Sequence, residues 1–273
     1  MGDHEDRPDD LELDVLGLRV TLRSSCAAVR EAWIGLFEPF ATPPGAAAAG
    51  LDLEIASAQG RWELRVEGTA TVARPDWPEL QPIVITEINR RAVERMPWFG
   101  VHAGVVGAGS VAIAFPGESG RGKSTAVAAC VADGLSYVSD EALILAPGGR
   151  LVPYPRPISL SPEMAARLGM AGFGDRDEVA VTMAGVPLLP ADRPAQLGHV
   201  VVLRRSTRAG ARLVDLPRAD AVIHLLANSF NHYRDPGGAL RLTTEVARNA
   251  QCWELVYDRP EDVPRLLREL IST

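Results

Sequence analysis

The hydrophobic positions of this 273-residue chain change period several times, and those changes divide it into elements. Apolar and polar residues alternate over 11–23, which predicts two short strands turning at Gly17. Residues 27–38 read as a helix, and Thr42-Pro43-Pro44-Gly45 with the alanines up to Gly50 as a loop. Residues 51–57, 61–67 and 69–74 alternate again and are joined at Gly60 and Gly68, as hairpins require, so a small antiparallel sheet is expected. After Trp77 the period becomes helical. Pro82 can open a helix whose Ile85, Ile88, Ala92 and Met96 share one face until Pro97 stops it.

A second regime begins past Trp98. Residues 101–106 read as a strand, Gly107-Ala108-Gly109 as a turn, and Ser110-Val111-Ala112-Ile113-Ala114-Phe115 as the continuous apolar run of a buried strand. A glycine-rich octapeptide follows, then a short helix over 125–133 ended by Gly134 and a strand starting at 135–138. Residues 143–145 and 151–154 suggest a hairpin around Pro147-Gly148-Gly149, 162–168 a short helix, and 171–178 a charged loop. Strands are expected at 199–204 and 211–215, making a hairpin tipped by Arg204, Arg205, Arg208 and Arg212, which reads as a solvated basic face. The remainder is expected to be helical at 219–226, 240–249 and 263–271. The polar cluster of Asn228, Asn231, His232, Tyr233 and Arg234, with Pro236-Gly237-Gly238 behind it, reads first as a helix-ending turn, with a mobile substrate loop as the alternative. The pattern gives two domains, a small α+β module over 1–97 and a larger α/β domain over 98–273.

Composition narrows the partners. With 28 cationic against 35 acidic residues the chain carries a formal net charge of −7, which argues against nucleic acid or an anionic membrane, since both reward a cationic surface. No stretch reaches the ~18 apolar residues of a membrane span, and the acidic opening Asp3-His4-Glu5-Asp6 is the reverse of a signal peptide. Cys26, Cys130 and Cys252 have no close pairing, so neither a disulfide framework nor a zinc site is suggested. A cytoplasmic protein is expected.

Candidate chemistry enters through one residue. Of the 28 cationic side chains all but one are arginine, and the single lysine, Lys123, stands in Gly117-Glu118-Ser119-Gly120-Arg121-Gly122-Lys123-Ser124. Glycines let consecutive backbone N–H groups face one anion, a helix N-terminus adds partial positive charge, and a compact ammonium on a flexible stem can reach β and γ phosphate oxygens. Ser124 is the hydroxyl expected on Mg²⁺. Thr125 is counted with the loop, although it reads first as a helix residue. Transfer of a phosphoryl group also needs a carboxylate near the metal and an acceptor for the incoming hydroxyl's proton. Val138-Ser139-Asp140-Glu141 supplies two adjacent acids, which can serve one site only where the strand ends and the backbone turns.

His102, the loop from Gly117 to Ser124, and the acids Asp140-Glu141 together resemble the catalytic core of the HPr kinase/phosphorylase family. The likeness is closer to its relatives beside peptide natural-product genes, including lasso-peptide tailoring kinases. Asp140 lies 17 positions after Lys123 (140 − 123), a short interval for an ordinary P-loop NTPase but similar to this family. The resemblance implies a P-loop nucleotide-binding domain of the HPr kinase/phosphoenolpyruvate carboxykinase-like type, with ATP and Mg²⁺ as cofactors and Lys123 on the phosphates. It also implies Ser124 and Glu141 near the metal, Asp140 as base, and His102 near the transferred phosphate. Pro153-Tyr154-Pro155-Arg156-Pro157-Ile158 also looks like a segment of these relatives, with Arg156 able to offer a charge to phosphate or substrate.

The specific match covers about 15% of the chain, with looser similarity over the C-terminal domain. Residues 163–177 lack the glutamate- and glycine-rich signature of true HPr kinases, and the second acid is Glu141 where the family has Asp. Both departures weigh against HPr itself as acceptor and against the reverse phosphorylase reaction. The expectation is a Mg·ATP-dependent kinase acting on a hydroxyl, by preference a serine of a peptide or small protein. A small-molecule hydroxyl kinase and a non-catalytic ATP-binding regulatory protein are the alternatives. Relatives form hexamers or smaller assemblies, so a homo-oligomer is compatible with the sequence.

Overall fold

A computed structural model describes residues 10–42, 50–190, 195–208 and 210–271. The chain is mixed α/β and falls into two compact units: the described residues up to Met96 together with Ala171–Ala184, and the rest from Pro97 onward. The loop expected at 42–50 lies mostly outside the described residues.

The first unit opens with the antiparallel pair β1 (Leu11–Val15) and β2 (Leu18–Ser24). Helix α1 (Ala27–Phe37) leads to β3 (Leu51–Ala58), which lies parallel to β2, and β4 (Arg61–Val66) and β5 (Thr69–Arg74) complete an antiparallel meander. The strand period of two puts Leu13, Val20, Leu22, Leu53, Ile55 and Leu64 on one buried face. The other face carries arginine and acid across the strands: Arg23 pairs with Asp10 at 2.8 Å and Asp52 at 3.0 Å, and Arg65 with Glu54 at 3.6 Å. Such partly exposed pairs favour register more than stability.

Helix α2 spans Trp77–Arg95, so Pro82 lies inside it and does not open it. The start is set by Asp76, whose carboxylate accepts from the Glu79 N–H at 3.0 Å, with Pro78 in the first turn where its missing N–H costs nothing. The stretch 171–178 also departs from the expected loop. It contains β12 (Gly172–Gly174), paired with β13 (Val179–Val181). Gln81 donates to the Phe173 carbonyl at 3.0 Å, and the Met183 N–H to Gly35 O at 2.8 Å, which fixes this hairpin in the first unit.

The second unit is an eight-stranded sheet between two helical layers. It begins with β6 (Phe99–Ala108) and β7 (Val111–Pro116), then α3 (Lys123–Ala132), β8 (Ser136–Ser139), β9 (Ala142–Ala146), β10 (Arg150–Val152), β11 (Ser159–Leu160) and α4 (Pro162–Arg167). After the β12–β13 hairpin come β14 (Gln196–Arg205), β15 (Arg212–Asp215), α5 (Arg218–Ala227), α6 (Pro236–Asn249), β16 (Gln251–Tyr257) and α7 (Asp262–Ile271). The strand order is β10-β9-β6-β7-β14-β16-β15, with β8 also on β6. β7, β14 and β16 run parallel, as strands joined by helical crossovers do. Val101, Ala103, Val105, Val200 and Cys252 pack with Ala221, Leu225, Val246 and Ala247 of α5 and α6. Helices α3 and α7 contact each other, α3 contacting β6 and α7 contacting β16.

Two expectations change here. β16 lies between β14 and β15, so the arginine-rich segment after β14 is no hairpin tip. The three C-terminal helices stand where expected, as α5, α6 and α7, and β16 occupies the interval between α6 and α7 for which no element was expected. Pro236-Gly237-Gly238 begins α6 and does not end a helix: Asp235 caps it by accepting from the Gly238 N–H at 2.9 Å. Among the described residues no helix is long and apolar enough to cross a membrane.

Candidate functional site

The glycine-rich loop leaves the end of β7 and closes on the first turn of α3. Its curvature depends on Gly120 and Gly122, whose φ angles of +79° and +84° lie in the left-handed region that L side chains avoid. The first glycine is tied to the neighbouring strand, since Gly117 N–H donates to the His102 carbonyl at 3.2 Å. Helix α3 presses on β6 because position 104 has no side chain: a Cβ there would stand 2.6 Å from Val127 Cγ2 and 3.6 Å from Lys123 Cβ. Gly104 thereby fixes where the helix begins and where Lys123 projects.

Lys123 is buried, and its ammonium donates to the loop's own Glu118 carbonyl at 2.8 Å. Burial holds its pKa below the ordinary lysine value, while the charges of Glu141 and Asp140 pull the other way. No carboxylate stands within ion-pair distance of it among the described residues. Glu118, Ser119, Gly120 and Arg121 are exposed, and the Arg121–Glu118 pair at 3.6 Å is a surface contact of little energy, so these residues serve the loop through their backbone. Ser124 and Thr125 occupy the first turn of α3, and no hydrogen bond among the described residues commits the Ser124 hydroxyl. A glycine-rich loop, a helix N-terminus and a buried ammonium can together hold a multiply charged anion.

The acids sit at a break in a strand. β8 and β9 pair successively along the same edge of β6, Ser136–Ser139 with Val105–Gly107 and Ala142–Leu145 with Phe99–His102. Asp140 and Glu141 fill the gap between them. Ser139 Oγ makes the bend by accepting from the N–H groups of Glu141 at 3.2 Å and Ala142 at 3.0 Å. The Glu141 carbonyl still accepts from Ala103 N–H at 3.1 Å, so the bend stays fastened to β6.

The two carboxylates differ in access. Asp140 has a side chain only 1% exposed, and Arg156 Nε meets its Oδ1 at 3.0 Å. The Tyr137 hydroxyl stands 3.1 Å from the same Oδ1 and 2.7 Å from Arg156 O, and it accepts from the Asp140 N–H at 3.1 Å. Among the described residues Oδ2 receives only a long contact, from Ser159 N–H at 3.5 Å. Glu141 is 23% exposed and lies between His102 Nε2 at 3.8 Å and Arg156 Nη1 at 3.7 Å. Burial alone would lower the Arg156 pKa, but Asp140 and then Glu141 outweigh it and hold the guanidinium above its ordinary value. Burial and then the Asp140 charge push Tyr137 well up, so it remains a neutral hydroxyl.

His102 stands on the same face of β6 as Gly104, with its ring 5.8 Å from that of Phe230. Burial lowers its pKa first, and the charges of Lys123 and Arg156 add to this, while Glu141 and Asp140 oppose it. Its backbone is held at both ends, its N–H donating to Asn228 O at 2.7 Å.

No family model matches the chain, and no curated protein does.

The structure brings Lys123, His102, Asp140, Glu141 and Arg156 into one electrostatic neighbourhood from four separate segments. It turns Arg156 inward, onto carboxylates. Asn231, one of the polar residues after α5, braces the backbone: its side chain accepts from Gly100 N–H at 3.2 Å and donates to Trp98 O at 2.8 Å. Tyr137, which lay within an expected strand, carries a role the sequence did not signal. So does a cleft of about 810 Å³ beside the loop, walled by β14, α5 and the end of β16. Among the described residues there is no cluster of three or more His, Cys, Asp or Glu side chains placed to hold a metal ion. Mg²⁺ bound with a polyphosphate needs only one or two protein oxygens, and Ser124 and Glu141 are donors of that kind.

Proposed function

We propose that the chain is a Mg·ATP-dependent kinase whose second unit is a P-loop domain of the HPr kinase/phosphoenolpyruvate carboxykinase-like type. Its acceptor would be a hydroxyl, by preference a serine of a peptide or small protein. The observation that carries this reading is geometric: His102 of β6 accepts from the first glycine of the loop through its carbonyl at 3.2 Å and lies 3.8 Å from Glu141 through its ring, so loop and acids meet at one strand residue, and the charges of Glu141 and Asp140 oppose the burial that lowers the Lys123 pKa. A loop that only bound nucleotide would need no such acids facing it.

In this reading the loop amides and Lys123 hold the β and γ phosphates, and Ser124 and Glu141 would hold Mg²⁺, which neutralises charge on the transferring group. The acceptor oxygen forms the new O–P bond as the bond from the γ phosphorus to the β-bridging oxygen breaks, ADP leaves, and the acceptor proton passes to a carboxylate. Asp140 is that carboxylate by resemblance. Its Oδ1 is taken by Arg156 and Tyr137, so only Oδ2 can face an acceptor. Positioning by such fixed groups supplies most of the rate in phosphoryl transfer.

A second reading of the base has its own support. Glu141 is the more open acid, and its charge weighs more than that of Asp140 on both Lys123 and His102. On that reading Glu141 takes the proton with His102 behind it, and Asp140 anchors the bend.

The test is transfer from γ-labelled ATP with Mg²⁺ to serine peptides and, in parallel, to a metabolite pool. Label on peptide supports the proposal, label on a small molecule moves the acceptor class, and turnover that never labels an acceptor points to a regulatory ATPase.

A further inference from the structure

Beside the loop a second hydroxyl, after that of Ser124, has no hydrogen-bond partner among the described residues. Tyr257 ends β16, 135 residues after Gly122 (257 − 122). It is 4% exposed, and it lines the 810 Å³ cleft together with Gly120, Gly122 and Lys123. Its hydroxyl reaches the loop at its tightest point: a Cβ on Gly122 would stand 2.6 Å from the Tyr257 oxygen. Yet among the described residues that hydroxyl makes no hydrogen bond. The ring is buried while the hydroxyl opens into the cleft, where water can satisfy it in the free protein and a group that enters beside the loop can replace that water.

We propose that Tyr257 is a phosphate-binding residue of this site, its O–H donating to an oxygen of the polyphosphate that the loop enfolds. The inference rests on the nucleotide-binding reading above and adds a donor from β16, two strands from β7 in the sheet. Three features fit. The approach over Gly122 sets the hydroxyl beside the N-terminus of α3, where anions are favoured. Burial pushes the Tyr257 pKa up, with Arg205 opposing, so the group is a neutral O–H with a proton to give. Finally, the donor is rigid, because β16 is held in register by β14 on one side and β15 on the other. A fixed donor needs no reorganisation when the anion enters.

The experiment is calorimetric titration of wild type and Tyr257→Phe with ADP and with pyrophosphate, each with Mg²⁺, beside thermal melts of the free proteins. The phenyl ring keeps its packing and the hydroxyl has no partner among the described residues to lose, so an unchanged melting temperature is expected. Both ligands should bind about tenfold to a hundredfold more weakly to the variant, the loss for one hydrogen bond to a charged group. Equal affinity of variant and wild type would overturn the assignment and leave the kinase proposal standing. Weakened ADP with unchanged pyrophosphate would move the hydroxyl to the nucleoside and overturn it too. A lowered melting temperature would show the hydroxyl already held within the fold, which also overturns the assignment. Failure of wild type to bind either ligand would instead remove the nucleotide reading on which the inference rests.

Discussion

The Arg156 guanidinium lies 3.0 Å from the Asp140 carboxylate and 3.7 Å from that of Glu141, so one cation bridges both acids at the break between β8 and β9. Two adjacent carboxylates facing one side would repel each other, and Arg156 offsets that repulsion. Its own chain segment is stiffened by Pro155 and Pro157.

Removing the bridge should be costly. Arg156→Met leaves the Asp140 carboxylate buried without a counter-charge, a change that destabilises by about 3–5 kcal/mol. Urea unfolding of the variant checks this. Arg156→Lys should recover only part of the loss, because an ammonium cannot reach two carboxylates in the guanidinium's planar geometry. Full recovery by lysine would show that charge alone, without the fork, suffices.

The two acids should separate in kinetics. If Asp140 is the base, Asp140→Asn retains nucleotide binding and loses transfer by about 10²–10⁴-fold, the usual contribution of a positioned acid or base. Glu141→Gln would then chiefly raise the Mg²⁺ concentration needed for half-maximal rate. If Glu141 accepts the proton, the pattern inverts, and Asp140→Asn is felt first as lost stability. Single-turnover rates at saturating and limiting Mg²⁺ distinguish the two.

Much of this site is legible in the sequence because its parts obey local rules. A strand, a glycine loop and a helix in succession follow from an apolar run, two positive-φ glycines and an alanine-rich segment. The turn at Asp140-Glu141 follows from the requirement that neighbouring strand side chains face apart, and Ser139 provides it. What is hidden depends on neighbours distant in sequence. β16 follows α6 after Ala250 alone, with no glycine or proline to mark the change, so the sequence shows where α6 ends but not that a strand begins. Its sheet partners lie far off at residues 199–205 and 212–215. The inward turn of Arg156 likewise depends on an acid 16 positions away, and the place of the Tyr257 hydroxyl on a glycine 135 positions away. The Asp76 cap outweighs Pro82 as a helix signal because capping decides a helix start, while one proline past the first turn costs a single bond.

Lys123 should trade stability for binding. Burial works against its charge, and its one hydrogen bond is to a carbonyl of its own loop. Lys123→Met keeps the length of the side chain and removes the desolvated ammonium, so the free protein should melt about 2–4 °C higher, the shift for roughly 1 kcal/mol in a chain of this size. Affinity for ADP should fall by roughly a hundredfold, since a charge-assisted contact is lost. Calorimetry and melts on one preparation measure both.

Histidine titration should shape stability in mild acid. The folded-state pKa of His102 lies below 6.5, and burial lowers that of His199 as well. Between the folded value and 6.5 the unfolded chain holds a proton that the folded chain does not, so these groups make stability rise with pH through that window and level off above it. Each contributes a slope of no more than about 1.4 kcal/mol per pH unit. His102→Gln should reduce the slope measured by urea unfolding between pH 5 and pH 7 (a roughly one-unit reach on either side of the transition) and leave the part due to His199. An unchanged slope would exclude His102 from the transition.

The contact between Gly122 and Tyr257 can be measured as a coupling. Gly122→Ala alone faces two penalties, the left-handed φ of +84° and an overlap with the Tyr257 oxygen 2.6 Å from the new Cβ. The first costs about 1–2 kcal/mol and persists in any background. The second disappears when Tyr257→Phe removes the oxygen. Tyr257→Phe by itself should be neutral, so the double variant should be more stable than Gly122→Ala, with an interaction energy between about 0.5 and 3 kcal/mol. Denaturant unfolding of the four proteins gives the cycle. Strict additivity would mean that the loop yields at Gly122 without feeling the tyrosine, and the hydroxyl would then lie farther from the phosphate cradle than its place on β16 implies.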